Sequence, residues 1–228
     1  MPSDASIPVP HLRVFLHDVN NELFALGGNL QLYEMQRGKP EGEKTYGNMR
    51  HASDELQVLL GELSDYASWC GDGVSLSAAP LDLGEAVQAG VARATQSLRR
   101  YRKEAKVASS APVRVVGDAT HVARAVHALI RVALWRDKAA EPVQVAVARE
   151  GDLGVVTVED HGPAIASELL EGIFTPDGIL EAKKRGTPPG RPTALLFVRV
   201  ATEAAGGRCW AKADGGAMRF SAGFPIAR

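Results

Sequence analysis

The sequence has no apolar run approaching the ~20 residues that a bilayer-spanning helix needs. Its amino terminus, MPSDASIPVPHLR, has none of the charged-then-apolar pattern of a secretory leader. Both absences lead to the expectation of a soluble, cytoplasmic protein with no membrane partner. Cysteine is scarce. Cys70 and Cys209 are the only two, far apart and without Cys-x-x-Cys or Cys/His ligand spacing, so neither a disulfide framework nor a zinc site is expected and no metal is assigned to the chain. Excess charge is missing as well: 26 basic residues face 27 acidic ones, and no broad field favours nucleic acid. Repeats and low-complexity tracts are absent. What remains is 228 residues, 45% hydrophobic, enough for one or two domains with a real core.

The most patterned stretch is Leu12 to Tyr33. Leu12, Leu16, Val19, Leu23, Leu26, Leu30 and Tyr33 step by four and three, a heptad seam along one face of a helix expected to reach about Gln36. His17 falls one residue past a seam position, so its ring is expected to face water. Asp18 adjoins it, and Asn21 sits one turn further on the same flank. A second helix is expected from about Tyr46 to Cys70, with Met49, Ala52, Leu56, Leu59, Leu63, Tyr66 and Cys70 at three-four spacing. Arg37 to Thr45, polar and containing Gly and Pro, is the expected connection, giving an antiparallel helical hairpin. A hairpin alone leaves part of each stripe wet, and two hairpins make a four-helix bundle, so a homodimer is expected. Residues 1–72 form this dimerisation and acceptor domain, 73–82 a Gly/Pro-containing linker, and 83–228 a second domain.

In that second domain the pattern turns to mixed α and β. A helix is expected over Leu83–Lys106, ending in the solvated basic cluster Arg99-Arg100-Tyr101-Arg102-Lys103. There follow a short strand at Val113–Val116, a helix over Asp118–Trp135, and a hairpin of Val143–Arg149 with Val155–Glu159. A short helix at Ala166–Ile173, a loop over Thr175–Pro192, a helix at Thr193–Ala205 and strands Arg208–Ala213 and Gly216–Ala222 complete it.

The string HDVNNELFALGGNLQL resembles the phosphoacceptor box of two-component histidine kinases and histidine phosphotransferases, with His17, Asp18 and Asn21 at the matching positions. Downstream, VVGDATHVARAVHALIRVALW resembles the helix bearing that family's Asn box. VTVEDHGPAI resembles its first glycine box, and GRPTALLFVRVATEAAGG its second. The resemblance spans nearly everything after Pro10. It implies a helical hairpin followed by an α/β sandwich of the histidine-kinase ATPase type, and it implies that His17 carries the phosphoryl group. Asp18 would orient the ring, and Asn21 would hydrogen-bond the transferring group or position water. Phe15, Asn20 and Phe24 are the candidate partner-docking residues beside it, with a place in a widened helical core as the other reading of Phe15 and Phe24.

The departures from the family pattern bear on the cofactor. The magnesium-binding Asn falls at Val132, the preceding box position at Ala128 is also apolar, and the Asp118–Trp135 stretch contains no Asn. Asp160 and Gly162 survive from the first glycine box, but its second glycine is Ala164. In the second box Gly190 keeps its place while Pro192 and Ala194 replace the other two glycines, and Pro192 removes an N–H that could approach phosphate. ATP binding is therefore expected to be weak or absent, with Asp160, Gly162 and Gly190 as residual nucleotide-site positions. The pattern then resembles ChpT-type histidine phosphotransferases, which relay phosphoryl groups between receiver domains of response regulators. The Mg²⁺ would come with the receiver. A diverged ATP-using kinase or phosphatase, and a non-catalytic pseudokinase scaffold, are the alternatives.

Overall fold

The computed structural model describes residues 9–71, 76–100, 103–109, 112–137, 141–187 and 189–227. They fall into two compact units, Met1–Asp72 and Gly73–Arg228. In the first, α1 (Val9–Gln36) and α2 (Pro40–Gly71) pack against each other as an antiparallel pair. The connection is shorter than the expected Arg37–Thr45. Pro40 opens α2, where its fixed φ and missing N–H do no harm. Gly38, at φ +78°, supplies the left-handed residue that ends α1. Thr45 Oγ1 then bonds Gln36 Oε1 at 2.7 Å across the turn.

The hairpin buries a stripe next to the leucine seam. On α1, Val14, Phe15 and Asp18 are buried; on α2, Ala52, Glu55, Leu59, Glu62 and Tyr66 are buried, again at three-four spacing. Leu16, Leu23 and Leu30, seven residues apart, stay 46%, 51% and 46% exposed, and Leu60 is 54% exposed. Two helices can cover only one side of each other, and the leucines lie on the side left over. Cys70, the last position of the expected α2 stripe, has its side chain outside the described residues.

In the second unit, a five-stranded sheet has the order β2-β4-β5-β7-β6. Its strands are β2 (Ala105–Ser109), β4 (Val143–Glu150), β5 (Leu153–Asp160), β6 (Arg208–Asp214) and β7 (Ala217–Pro225). β2 runs parallel to β4, and the other pairings are antiparallel. A separate antiparallel pair joins β1 (Ala79–Asp82) to β3 (Arg114–Gly117). Three helices, α3 (Leu83–Arg100), α4 (Ala119–Arg136) and α7 (Pro192–Ala204), form the layer packed with the sheet. Val122, Val126, Leu129, Ile130 and Leu134 of α4, Val145, Val156 and Val158 of the hairpin, and Phe220 and Phe224 of β7 are all buried. This is the alternation that the strand periodicity demanded. Among the described residues no helix is long and apolar enough to cross a membrane.

Four expectations fail here. The helix expected to reach Lys106 stops at Arg100, and Ala105–Ser109 becomes a sheet-edge strand. Lys103, placed in a solvated cluster by sequence, is 7% exposed; its Nζ donates to the Asp137 carbonyl at 3.0 Å and pairs with the Asp137 carboxylate at 3.4 Å. (Tyr101 and Arg102 lie outside the described residues.) Residues 79–82, placed in a linker, form β1 because β3 offers them a partner. The short helix expected at Ala166–Ile173 is α5 (Ser167–Leu170), and the Thr175–Pro192 loop contains α6 (Pro176–Lys184), with Thr175 Oγ1 accepting the Gly178 N–H at 3.0 Å and Pro176 in the first turn.

Candidate functional site

Helix periodicity places His17 and Asn21 on one flank of α1, one turn apart. The His17 side chain is 56% exposed and that of Asp18 only 6%. His17 Nδ1 lies 3.2 Å from Asp18 Oδ1 and 3.2 Å from Asn21 Nδ2. A carboxylate only accepts, so this contact keeps the ring proton on Nδ1 and the nucleophilic lone pair on Nε2. With Nδ1 as donor, the Asn21 amide turns over so that its oxygen, in place of Nδ2, faces the ring. The three residues singled out by sequence are thus together, with the charged member buried and the ring open to solvent.

The docking residues divide. Phe24 is 85% exposed and Asn20 is exposed beside it. Phe15 is 0% exposed and packs its ring 5.2 Å from that of Tyr66. It precedes His17 by two residues, about 200° around the helix, and so belongs to the core of the hairpin instead of a docking surface.

In the second unit, the residual nucleotide positions converge on the carboxyl end of β5. Asp160 is 1% exposed. Its carboxylate accepts from the Gly162 N–H at 2.8 Å and from Arg136 Nε at 3.0 and 3.3 Å. Arg136 closes α4, and its Nη2 also donates to the Pro163 carbonyl. The Arg136 and Asp160 side chains are 1% and 0% exposed, and the guanidinium carbon stands 5.5 Å from the Phe220 ring centroid. Burial pushes the Asp160 carboxyl above the usual carboxylate range, against the lowering pull of Arg136 and Gly162. Gly162 and Gly190 are both pressed onto this arginine. A Cβ on Gly162 would sit 2.8 Å from the Arg136 carbonyl, and one on Gly190 (φ +110°) would sit 3.2 Å from Arg136 Cγ.

Arg136 is the residue that sequence reasoning missed. The signal was present: it follows Ala133 by three and Leu129 by seven, on the apolar face of α4, where a solvated arginine has no place.

Beside the ion pair lies a cavity of about 470 Å³ lined by Trp135, Arg136, Pro163, Ala164, Ile165, Gly186 and Thr187. The donor set does not suit a magnesium nucleotide. Val132 and Ala128 are 0% and 1% exposed, and α4 carries no Asn, Asp, Gln or Glu from which to draw an oxygen ligand. Among the described residues, no group of three or more His, Cys, Asp or Glu side chains is arranged to hold a metal.

Residues 117–228 match the family model described as Histidine kinase-, DNA gyrase B-, and HSP90-like ATPase. No curated protein matches the chain in sequence. Among solved structures, the Acinetobacter baumannii histidine kinase AdeS is similar at 17% identity and a TM-score of 0.65, over 93% of this chain and 98% of that one. Histidine kinase ThkA in complex with response regulator protein TrrA gives 18% identity and a TM-score of 0.64, over 93% and 60%. Full-length ShkA in complex with AMPPNP gives 18% and 0.63, over 95% and 45%. In fold the chain is histidine-kinase-like: a pair of long helices followed by an α/β module, of which residues 117–228 match that ATPase model.

Proposed function

We propose that the chain is a histidine phosphotransferase that accepts a phosphoryl group on His17 from the phosphoaspartate of one receiver domain and passes it to the aspartate of another, without ATP. The observation that carries this reading is a solvent-facing imidazole held by a buried carboxylate, in a chain whose Asp160 already has an intramolecular partner.

In the forward step, His17 Nε2 attacks the phosphorus of the aspartyl phosphate. The P–Nε2 bond forms, the P–O bond to the receiver breaks, and that aspartate leaves as a carboxylate. The ring becomes a cation with its proton still on Nδ1, and Asp18, 3.2 Å away, stabilises that charge. Return to a second receiver reverses each bond change. The receiver brings its own Mg²⁺, so no metal ligand is required of this chain. Docking uses the flank around Asn20 and Phe24. The exposed Leu16, Leu23 and Leu30 are the seam through which two copies close a four-helix bundle.

The test mixes the purified protein with a panel of receiver domains carrying radiolabelled phosphoaspartate, with no nucleotide present. Label moves to His17 in the wild type and not in His17→Gln. A diverged kinase is the competing reading, favoured by the ATPase-family match of residues 117–228 and by the AMPPNP in the ShkA complex. It replaces the present reading if no receiver donates and MgATP alone labels His17.

A further inference from the structure

The flank of α1 that carries His17 runs on to the end of the helix without a charge. From Asn20 to Gln36 the charged residues are Glu22 and Glu34, and they stand about 140° and 100° round the helix from His17. Below Asn21, the arc within about 60° of His17 holds Phe24, Gly28, Gln31, Leu32 and Met35. Phe24, Leu32 and Met35 are 85%, 42% and 75% exposed. A solvent-facing helix flank is ordinarily charged and polar. Loss of charge together with an aromatic ring and a methionine is the composition of an interface core. The leucine seam does not account for this strip, because Leu16, Leu23 and Leu30 lie about 100–140° round from His17.

Gly28 sits in the middle of the strip and has no packing reason within the chain. Glycine is a poor helix former, and a Cβ at Gly28 would meet nothing within 4 Å. Its ridge neighbours on the helix are Phe24, Ala25, Gln31 and Leu32. The missing side chain therefore leaves a hole between two large apolar ones, the shape that receives a side chain from a facing helix. His17 selects the occupant. A domain whose aspartyl phosphate meets His17 Nε2 has to lie along this flank. Met35 is about 27 Å from His17 along the axis, within the roughly 30 Å span of a compact 100-residue domain.

We propose that Phe24, Gly28, Leu32 and Met35 form an uncharged strip that seats an apolar helix of the receiver domain, with one large side chain of that helix over Gly28. The strip sets which receiver binds. This rests on the functional reading in which a receiver exchanges phosphoryl groups with His17.

The probe is the panel of purified receiver domains, unphosphorylated and fluorescently tagged, titrated into the whole protein and followed by anisotropy. At least one should bind saturably. Its affinity should fall less than tenfold between about 50 and 500 mM NaCl, because an uncharged strip offers no ion pairs to screen. Met35→Glu and Gly28→Leu should each weaken that receiver at least tenfold. In the labelling assay the loss should appear in the receiver concentration giving half-maximal rate, with the limiting rate of transfer to His17 kept, since Met35 is too far away to touch the reacting atoms. Gly28→Leu should also raise the thermal midpoint of the helices, so its loss of binding cannot come from a loss of fold. The proposal is overturned if no receiver binds, if either substitution costs less than tenfold, or if salt weakens binding tenfold or more. It is overturned as well if the substitutions shift a dimer to monomers in sedimentation equilibrium, which gives the strip to a second copy. Binding that both variants lose, with no label reaching His17 from any receiver, overturns the phosphotransfer reading alone. Label reaching His17 with affinity kept in both variants overturns the strip alone.

Discussion

Arg136→Met tests whether the second unit is held by its own ion pair. Arg136 Nε stands 3.0 and 3.3 Å from the two Asp160 oxygens, with the side chains 1% and 0% exposed. Removing one member of such a pair leaves the other buried without compensation, which costs about 3–5 kcal/mol. The substitution should therefore lower the urea midpoint of the second unit, followed through Trp135 and Trp210. Arg136→Met combined with Asp160→Leu removes both charges and should recover most of the loss. The pH dependence has a definite sign. Burial already holds the folded-state pKa of Asp160 above its unfolded value. The native state thus binds more protons than the unfolded chain between those two values, and stability falls as pH rises through that window. Without Arg136 the folded value climbs further, so the deficit of Arg136→Met should shrink as pH is lowered from 8 toward 5. A deficit under about 1 kcal/mol, or one that does not change with pH, would mean that the pair is hydrated and would refute the reasoning.

Leu23→Glu places a charge in the middle of the exposed leucine seam and should convert a dimer to monomers in sedimentation equilibrium while helicity is kept; a dimer that persists removes the seam from the interface. Asp118 caps α4, accepting from the N–H groups of Thr120 and His121 at 2.9 and 3.1 Å. Burial works to raise its pKa, but the His121 N–H, the His121 ring and the Ser77 N–H outweigh it and hold the carboxyl below its ordinary value. Asp118→Ala should cost about 1 kcal/mol near neutral pH, and denaturation at several pH values should show that cost fading as pH falls through the depressed folded value. Gly178→Ala would bring a Cβ within 2.0 Å of the Gly172 carbonyl oxygen, so α6 cannot keep its seat, and a loss of about 1–3 kcal/mol is expected in thermal unfolding.

What the sequence disclosed and what it hid follow from range. His17, Asp18 and Asn21 lie within five residues on one helix, and helical geometry alone brings His17 Nδ1 within 3.2 Å of both partners. The hairpin was legible for the same reason. Which stripe of α1 faces α2 was not: the leucine periodicity marks a face that one chain leaves open, while Phe15 finds Tyr66, 51 residues on. β1 and β2 each became strands through pairing with a distant segment, β3 and β4 respectively, and four- or five-residue runs carry no period strong enough to announce that. α6 was hidden by Gly, Pro and Lys in its neighbourhood, although Thr175 before Pro176 is a helix-start signal. Arg136 was hidden by convention: a basic residue at a helix end reads as solvated, and only the position of Asp160 at the end of a buried strand makes it a core residue.

The changes around β5 are of two physical kinds, and the difference bears on the proposed function. Val132 and Ala128 put apolar atoms where oxygen ligands would have to stand, at 0% and 1% exposure, and they cost the fold nothing. Asp160 is different, because a carboxylate at 1% exposure needs a partner in every state of the molecule. If a ligand supplied that partner, the module would carry the desolvation cost whenever the ligand was away. Arg136 supplies it from within the chain, through charge-assisted bonds that a neutral amine, such as that of a purine, cannot match. The module is then complete as a fold without nucleotide. On the proposed reading that is all it has to be, because the reacting nitrogen, its orienting carboxylate and its amide neighbour are all supplied by one turn of α1.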